Sequence, residues 1–245
     1  MDMKIKSIIP NTITLLNMLA GILSIYIGMT GDLVLAAYLI FIAAILDFMD
    51  GFSARMLNAY SDLGKQLDSL ADLVSFGLAP GFILFNMINI SHGQPGNTGS
   101  SMTIMPFIAF MVPLFAALRL AKFNIDENQT NSFLGMPTPA VAILIASFPL
   151  IKDFLFHNRG LYYMIITNTY FLLAMAIIMS LLMVIPLPMF AFKFKNYRWK
   201  DNKVKYVFLL VSLIGIIIFK SIAIPVIIAL YFLLSLVFYL TDIQD

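Results

Sequence analysis

Apolar runs about as long as a helical membrane crossing recur along the whole chain, and no other feature narrows its fold so far. A helix needs roughly 20 residues to cross about 30 Å of hydrocarbon. Runs of that kind extend over Ile8 to Gly28, Leu33 to Phe52, Gln66 to Ile90, Ile104 to Phe123, Ala140 to Phe156, Tyr163 to Ile185, Tyr206 to Phe219 and Ile222 to Leu240. Of 245 residues, 61% are hydrophobic and 11% charged, with a mean hydropathy of +0.94, more apolar surface than one water-soluble core can hide. The expectation is an all-α, polytopic integral membrane bundle forming one domain over residues 1–245. Tyr206 to Tyr239 is nearly one apolar stretch, too long for one crossing and short for two, and Lys220 and Pro225 argue for a break within it. That makes eight crossings, or seven if the break fails. Ile8 to Gly28 follows lysines and is not trailed by a small-residue cleavage site, so it reads as a retained first helix.

Basic residues orient the bundle. With eight crossings and a cytoplasmic N-terminus, Lys4, Lys6, Arg55, Lys65, Arg119, Lys122, Lys193, Lys195, Arg198, Lys200, Lys203 and Lys205 share the cytoplasmic side. Only Lys152, Arg159 and Lys220 fall opposite, as the positive-inside rule requires. The basic stretch from Phe192 to Lys205 then reads as a loop touching anionic headgroups, and no nucleic-acid partner is expected. Cysteine is absent, which excludes disulfides, thiolate nucleophiles and cysteine metal sites. His92 and His157 fall in outer loops, as does the polar patch from Ser91 to Ser101.

Against this background the stretch "LDFMDGFSARMLNAYSDLGKQLDSLADLVSFG", Leu46 to Gly77, is anomalous. It carries Asp47, Asp50, Asp68 and Asp72 at the ends of two apolar runs, with Asp62 between them and only Arg55 and Lys65 to offset them. An aspartate at the centre of a membrane helix is unfavourable by about 2.5 to 3.5 kcal/mol, so a group of them needs compensation. Asp47 and Asp50 are three apart and share a helical face, which Gly51 and Ala54 continue; Gly64, Asp68 and Asp72 step by four along the next helix. On consecutive antiparallel helices the two stripes would face each other and form one acidic pocket. Hard divalent cations, magnesium, manganese or calcium, suit an all-carboxylate site. The small residues at 51, 54 and 64 would let a phosphate approach the backbone. An ion pathway is the competing reading, because intramembrane acids often line one. These four, however, cluster at one end of two consecutive spans, and a pathway has less use for the glycines.

The same residues match D-x-x-D-G-x-x-A-R-x8-G-x-x-x-D-x-x-x-D at every fixed position, through Asp47, Asp50, Gly51, Ala54, Arg55, Gly64, Asp68 and Asp72. This resembles the signature of the CDP-alcohol phosphotransferases, integral membrane enzymes of phospholipid synthesis. The resemblance implies two divalent cations held by the four aspartates, magnesium or manganese with calcium an alternative at one site. It also implies a CDP-linked lipid near Arg55, Asp72 as the base that deprotonates the acceptor alcohol, and a homodimer. "IPNTITLLNMLAG" (Ile9 to Gly21), "ALRLAKFN" (Ala117 to Asn124) and "FLGMPTPA" (Phe133 to Ala140) are similar to the branch of the family that joins serine to CDP-diacylglycerol. The likeness covers roughly residues 8 to 145; residues 8–156 are expected to form the catalytic core and 157–245 to add further helices. Arg119 and Lys122, three apart at the cytoplasmic end of the fourth run, are candidate partners for the carboxylate of L-serine, with Arg119 the stronger for its planar fork. Asn11, Thr14 and Asn17 supply neutral polar groups for a nucleotide base or ribose. Glycerol 3-phosphate and inositol phosphate are the alternative acceptors for the same chemistry.

Overall fold

A computed structural model of the chain describes residues 6–93, 104–125, 133–157, 159–189, 199 and 202–241. Lys4, Lys193, Lys195, Arg198, Lys200 and most of the Ser91 to Ser101 patch lie outside the described residues. The fold is all-α apart from one short ladder. Helix α1 is Ile8–Met29, α2 Leu33–Leu57, α3 Asp62–Ser91 and α4 Met105–Ile125. Then come α5 Thr138–Phe154, the single turn and a half of α6 Leu161–Ile166, α7 Thr169–Val184, α8 Lys203–Phe219 and α9 Ala223–Leu240. Two-residue strands, β1 Phe133–Leu134 and β2 Pro188–Met189, pair antiparallel.

The membrane-crossing runs become helices, with informative departures. The expected sixth crossing from Tyr163 is interrupted between α6 and α7, where Asn168 caps α7 by accepting from the amides of Tyr170 and Phe171. The C-terminal break falls at Lys220, whose backbone (φ 51, ψ −133) no helix accommodates; Pro225 instead sits in the first turn of α9, where its missing donor costs nothing. A straight helix would separate Phe208 from Tyr231 by roughly 35 Å, yet their ring centroids are 6.4 Å apart. The chain therefore folds back at Lys220, and α8 and α9 form a helical hairpin.

Small residues bring the helices together, as association in lipid requires, since no apolar solvent penalty drives it. Ala36, Ala37 and Ala43 of α2 and Ala142 and Ala146 of α5 are fully buried in the central packing. A Cβ on Gly21 of α1 would lie 2.5 Å from Ser75 Oγ, and one on Gly81 of α3 would lie 2.9 Å from Pro113 of α4. Outward faces carry exposed apolar side chains such as Leu15, Leu19, Phe48, Leu213 and Ile217, the lipid-facing side of an integral membrane protein.

Three local features place the acidic stretch. Helix α2 ends in a left-handed cap at Asn58 (φ 49), and three residues on Ser61 caps the start of α3, its hydroxyl accepting from the Gly64 amide at 3.0 Å. This tight turn sets α2 and α3 antiparallel. The 30-residue α3 spans about 45 Å, longer than the hydrocarbon core, so its first turns reach the interface and the aspartates avoid the bilayer centre. Immediately after Asp72 the helix widens into a π turn over Leu73–Leu78, the kind of inserted residue that accompanies functional sites.

Candidate active site

The expected pairing of stripes is present, and α1 joins it as a third wall. One carboxylate oxygen from each of Asp47, Asp50 and Asp68 falls within 4.8 Å of the others. Asp72 lies against Asp47 on the deep side, and its Oδ1 is buried without a hydrogen-bond partner. Asp50 accepts from the buried Thr14 hydroxyl of α1 at 2.6 Å. Two unit charges at this spacing repel by roughly 3 kcal/mol even at an effective dielectric of about 20. The donor set is all oxygen, one oxygen is left unpartnered, and the carboxylates repel: these residues fit a hard divalent cation.

One cavity opens onto the cluster, and a second is reached through Arg119. The first, of about 250 Å³, is lined by Asn11 and Thr14 of α1, Asp50, Gly51, Ala54 and Arg55 of α2, and Gly64, Lys65 and Asp68 of α3. Six of the seven residues expected to contact nucleotide or phosphate thus share one chamber with two of the aspartates. Asn17, grouped with Asn11 and Thr14 from sequence, does not line it; it is wholly buried one turn deeper. A Cβ on Gly51 would meet nothing within 4 Å, so that glycine opens space into the chamber. Gly64 is tighter, with Asn11 Oδ1 3.2 Å from the position a Cβ would take.

The second cavity, of about 320 Å³, is lined by Arg119, Lys122, Phe123 and Ile125 of α4 and by Leu134, Met183, Val184 and Pro186. Arg119 is largely buried and Lys122 is exposed at the rim. The Arg119 guanidinium lies within electrostatic reach of Asp72 and of Tyr231 on α9, makes a long 3.5 Å contact to the Thr138 hydroxyl, and leaves Nε unpartnered. It links the carboxylates to the second cavity. The "FLGMPTPA" segment builds the wall there: Gly135 takes φ +75, its amide donates to the Leu187 carbonyl at 2.9 Å, and the Met136 amide donates to Leu182 at 2.9 Å. A side chain at 135 would strike the Met183 carbonyl, so glycine is required on both counts.

Some residues at the site carried no readable signal. Tyr231 belongs to an apolar helix with no motif around it. Asn124 ends a quoted stretch, yet its role emerges only from contacts: Nδ2 donates to Ser69 at 2.8 Å, and Lys65 Nζ donates to its carbonyl at 3.2 Å, tying α4 to α3 beside Asp68.

The pattern described as CDP-alcohol phosphatidyltransferase matches residues 7–182, which include all four aspartates and both cationic residues of α4. The chain belongs to that family. Among the CDP-alcohol phosphatidyltransferases, it is 37% identical over 146 residues to a protein of Bacillus subtilis (strain 168) named CDP-diacylglycerol–serine O-phosphatidyltransferase, covering 57% of this chain and 75% of the relative. A protein of Helicobacter pylori (strain J99) with the same name is 35% identical over 146 residues, covering 59% of this chain and 58% of the relative. An archaetidylserine synthase of Methanothermobacter thermautotrophicus is 33% identical over 159 residues, 61% of each chain. The matched region thus spans between about three fifths and three quarters of these relatives' lengths.

Proposed function

We propose that this membrane enzyme transfers the phosphatidyl group of CDP-diacylglycerol to the hydroxyl of L-serine, giving phosphatidylserine and CMP. The observation that carries the reading is a carboxylate cluster opening into a chamber lined by small residues and Arg55, with Arg119, which lines a second cavity together with Lys122, within electrostatic reach of Asp72. The relatives named above differ in their lipid and share serine in their names, which supports serine as the acceptor.

In this reading the diphosphate lies along Gly51, Ala54 and Gly64 with Arg55 as its cationic partner, and Asn11 and Thr14 border the nucleotide. The serine carboxylate pairs with Arg119, assisted by Lys122. Asp72 takes the serine hydroxyl proton as the oxygen attacks the lipid-bearing phosphorus and the bond to the CMP phosphate oxygen breaks. Asp47, Asp50, Asp68 and Asp72 would hold two divalent cations, magnesium or manganese with calcium an alternative at one site. Bound there, such ions supply charge neutralisation for the diphosphate and the leaving group. No covalent intermediate is needed. The active site faces the cytoplasm, where the serine pool and the basic loops lie, surrounding lipids deliver the liponucleotide, and the enzyme works as a homodimer.

The test is a product assay on the purified chain with CDP-diacylglycerol, manganese or magnesium, and serine, glycerol 3-phosphate or inositol phosphate in turn. Serine alone should support CMP release with a phosphatidylserine product. Chelation by EDTA should abolish it, and Asp47→Asn and Asp72→Asn should each lower the rate by roughly 10²-fold or more. CMP release that does not require serine, or a product formed only with a phosphorylated alcohol, sinks the serine assignment.

A further inference from the structure

Asn17 is fully buried, and neither its side-chain oxygen nor its nitrogen has a partner. An orphaned amide inside a bundle costs about 1–3 kcal/mol, a cost that leucine at the same position would not incur. Its place in the bundle follows from the contacts around it. Helix α1 runs antiparallel to α2, with Thr14 bonded to Asp50 and Ser24 to the Ala36 carbonyl; Asn17 therefore stands level with Leu46 and Asp47. It runs parallel to α3, with Asn11 beside Gly64 and the Asn17 carbonyl accepting from Ser75 at 2.9 Å; Asn17 is thus also level with Ala71 and Asp72. Thr14, Asn17, Gly21 and Ser24 lie on one face of α1, the face toward the groove between α2 and α3. The unpartnered amide thus lies on the helix face and at the level of the deep end of the acidic cluster, where Asp72 Oδ1 is also unpartnered. Both atoms are buried without a partner at the same depth of the bundle.

We infer that Asn17 is a positioning residue for the deep carboxylates. With a divalent cation bound, its Nδ2 would donate to the Asp47 and Asp72 end of the cluster and fix which oxygens turn toward the ion, much as outer hydrogen bonds orient metal ligands elsewhere. Being neutral, an amide does this without adding to the repulsion among the four acids, which an aspartate at that depth would not achieve. Thr14 holds Asp50 by the same logic at the shallow end. The inference rests on the reading of the aspartates as a cation site, and it extends the ordered set to α1.

The test is manganese binding to the full chain in detergent without either substrate, by titration calorimetry or by the spin-resonance signal of the free ion. Asn17→Leu matches the amide in size and removes both polar atoms. Manganese affinity should fall about 10- to 100-fold, the range seen when outer-shell partners are removed, while the metal-free protein unfolds at the same or a higher temperature. Asn17→Ser, too short to reach the carboxylates, should weaken manganese binding similarly and serves if the leucine variant does not fold. Affinity within twofold of the unmodified chain in a folded variant would overturn the inference and leave Asn17 as a packing residue. If the unmodified chain bound no manganese, the cation reading would fall as well, so the two failures are distinguishable.

Discussion

The site's glycines sort by what surrounds them, and the difference is measurable. Gly51 lies inside α2 with open space where a Cβ would go, so Gly51→Ala should leave thermal stability unchanged or raise it by about 0.5–1 kcal/mol through helix propensity. If a phosphate occupies that space, the same methyl excludes it, and the apparent affinity for CDP-diacylglycerol should fall roughly 10-fold or more, as for a lost charge-assisted contact. A melting curve and a liponucleotide titration on one variant decide it: unchanged affinity would move the diphosphate elsewhere in the chamber. At this scale the sequence was most legible. Four aspartates, three small residues and an arginine at fixed gaps could be read from the chain because helical spacing converts directly into shared faces. Asn17 was harder, since a polar residue on an apolar helix looks the same whether it meets a nucleotide, a carboxylate or another helix; only the depth of its neighbours on α2 and α3 separates these.

At the scale of elements, the approach of α1 to α3 carries the geometry of the site. Gly21 packs on the backbone of Ser75 within the π turn, and Ser75 in turn bonds the Asn17 carbonyl. Adding a methyl there forces backbone apart, so Gly21→Ala should destabilise the protein by about 1–3 kcal/mol. It should also lower activity by lifting α1 away from Asp50, which thermal unfolding and the product assay would report together; a variant as stable as the parent would show that the helices can part without cost. The π turn was invisible beforehand, because one inserted residue changes no residue type and leaves the apolar run intact. Helix existence was readable from run length, whereas the interruption before Asn168 and the reversal at Lys220 depended on backbone caps inside stretches that look uniformly apolar. The β1 and β2 ladder is too short for any alternation to announce it.

For the molecule as a whole, the C-terminal hairpin seemed from sequence to add only apolar mass. Folding back at Lys220 packs it against the bundle, and α9 delivers Tyr231 to the neighbourhood of Arg119, beyond the span that the family pattern covers. Tyr231→Phe keeps the ring and its packing on Phe208 but removes the hydroxyl that lies within electrostatic reach of the guanidinium. The Michaelis constant for serine should rise roughly 3- to 10-fold, the scale of one lost polar interaction, with the turnover number and the liponucleotide constant unchanged. Equal constants for both proteins would reduce the tyrosine to a spacer.

The two cavities share no lining residue. Both reactants can then be resident at once, and the order of arrival is not imposed by a common doorway. Initial velocities measured against serine at several fixed liponucleotide levels should give reciprocal plots that intersect; parallel lines would mean that CMP departs before serine is needed.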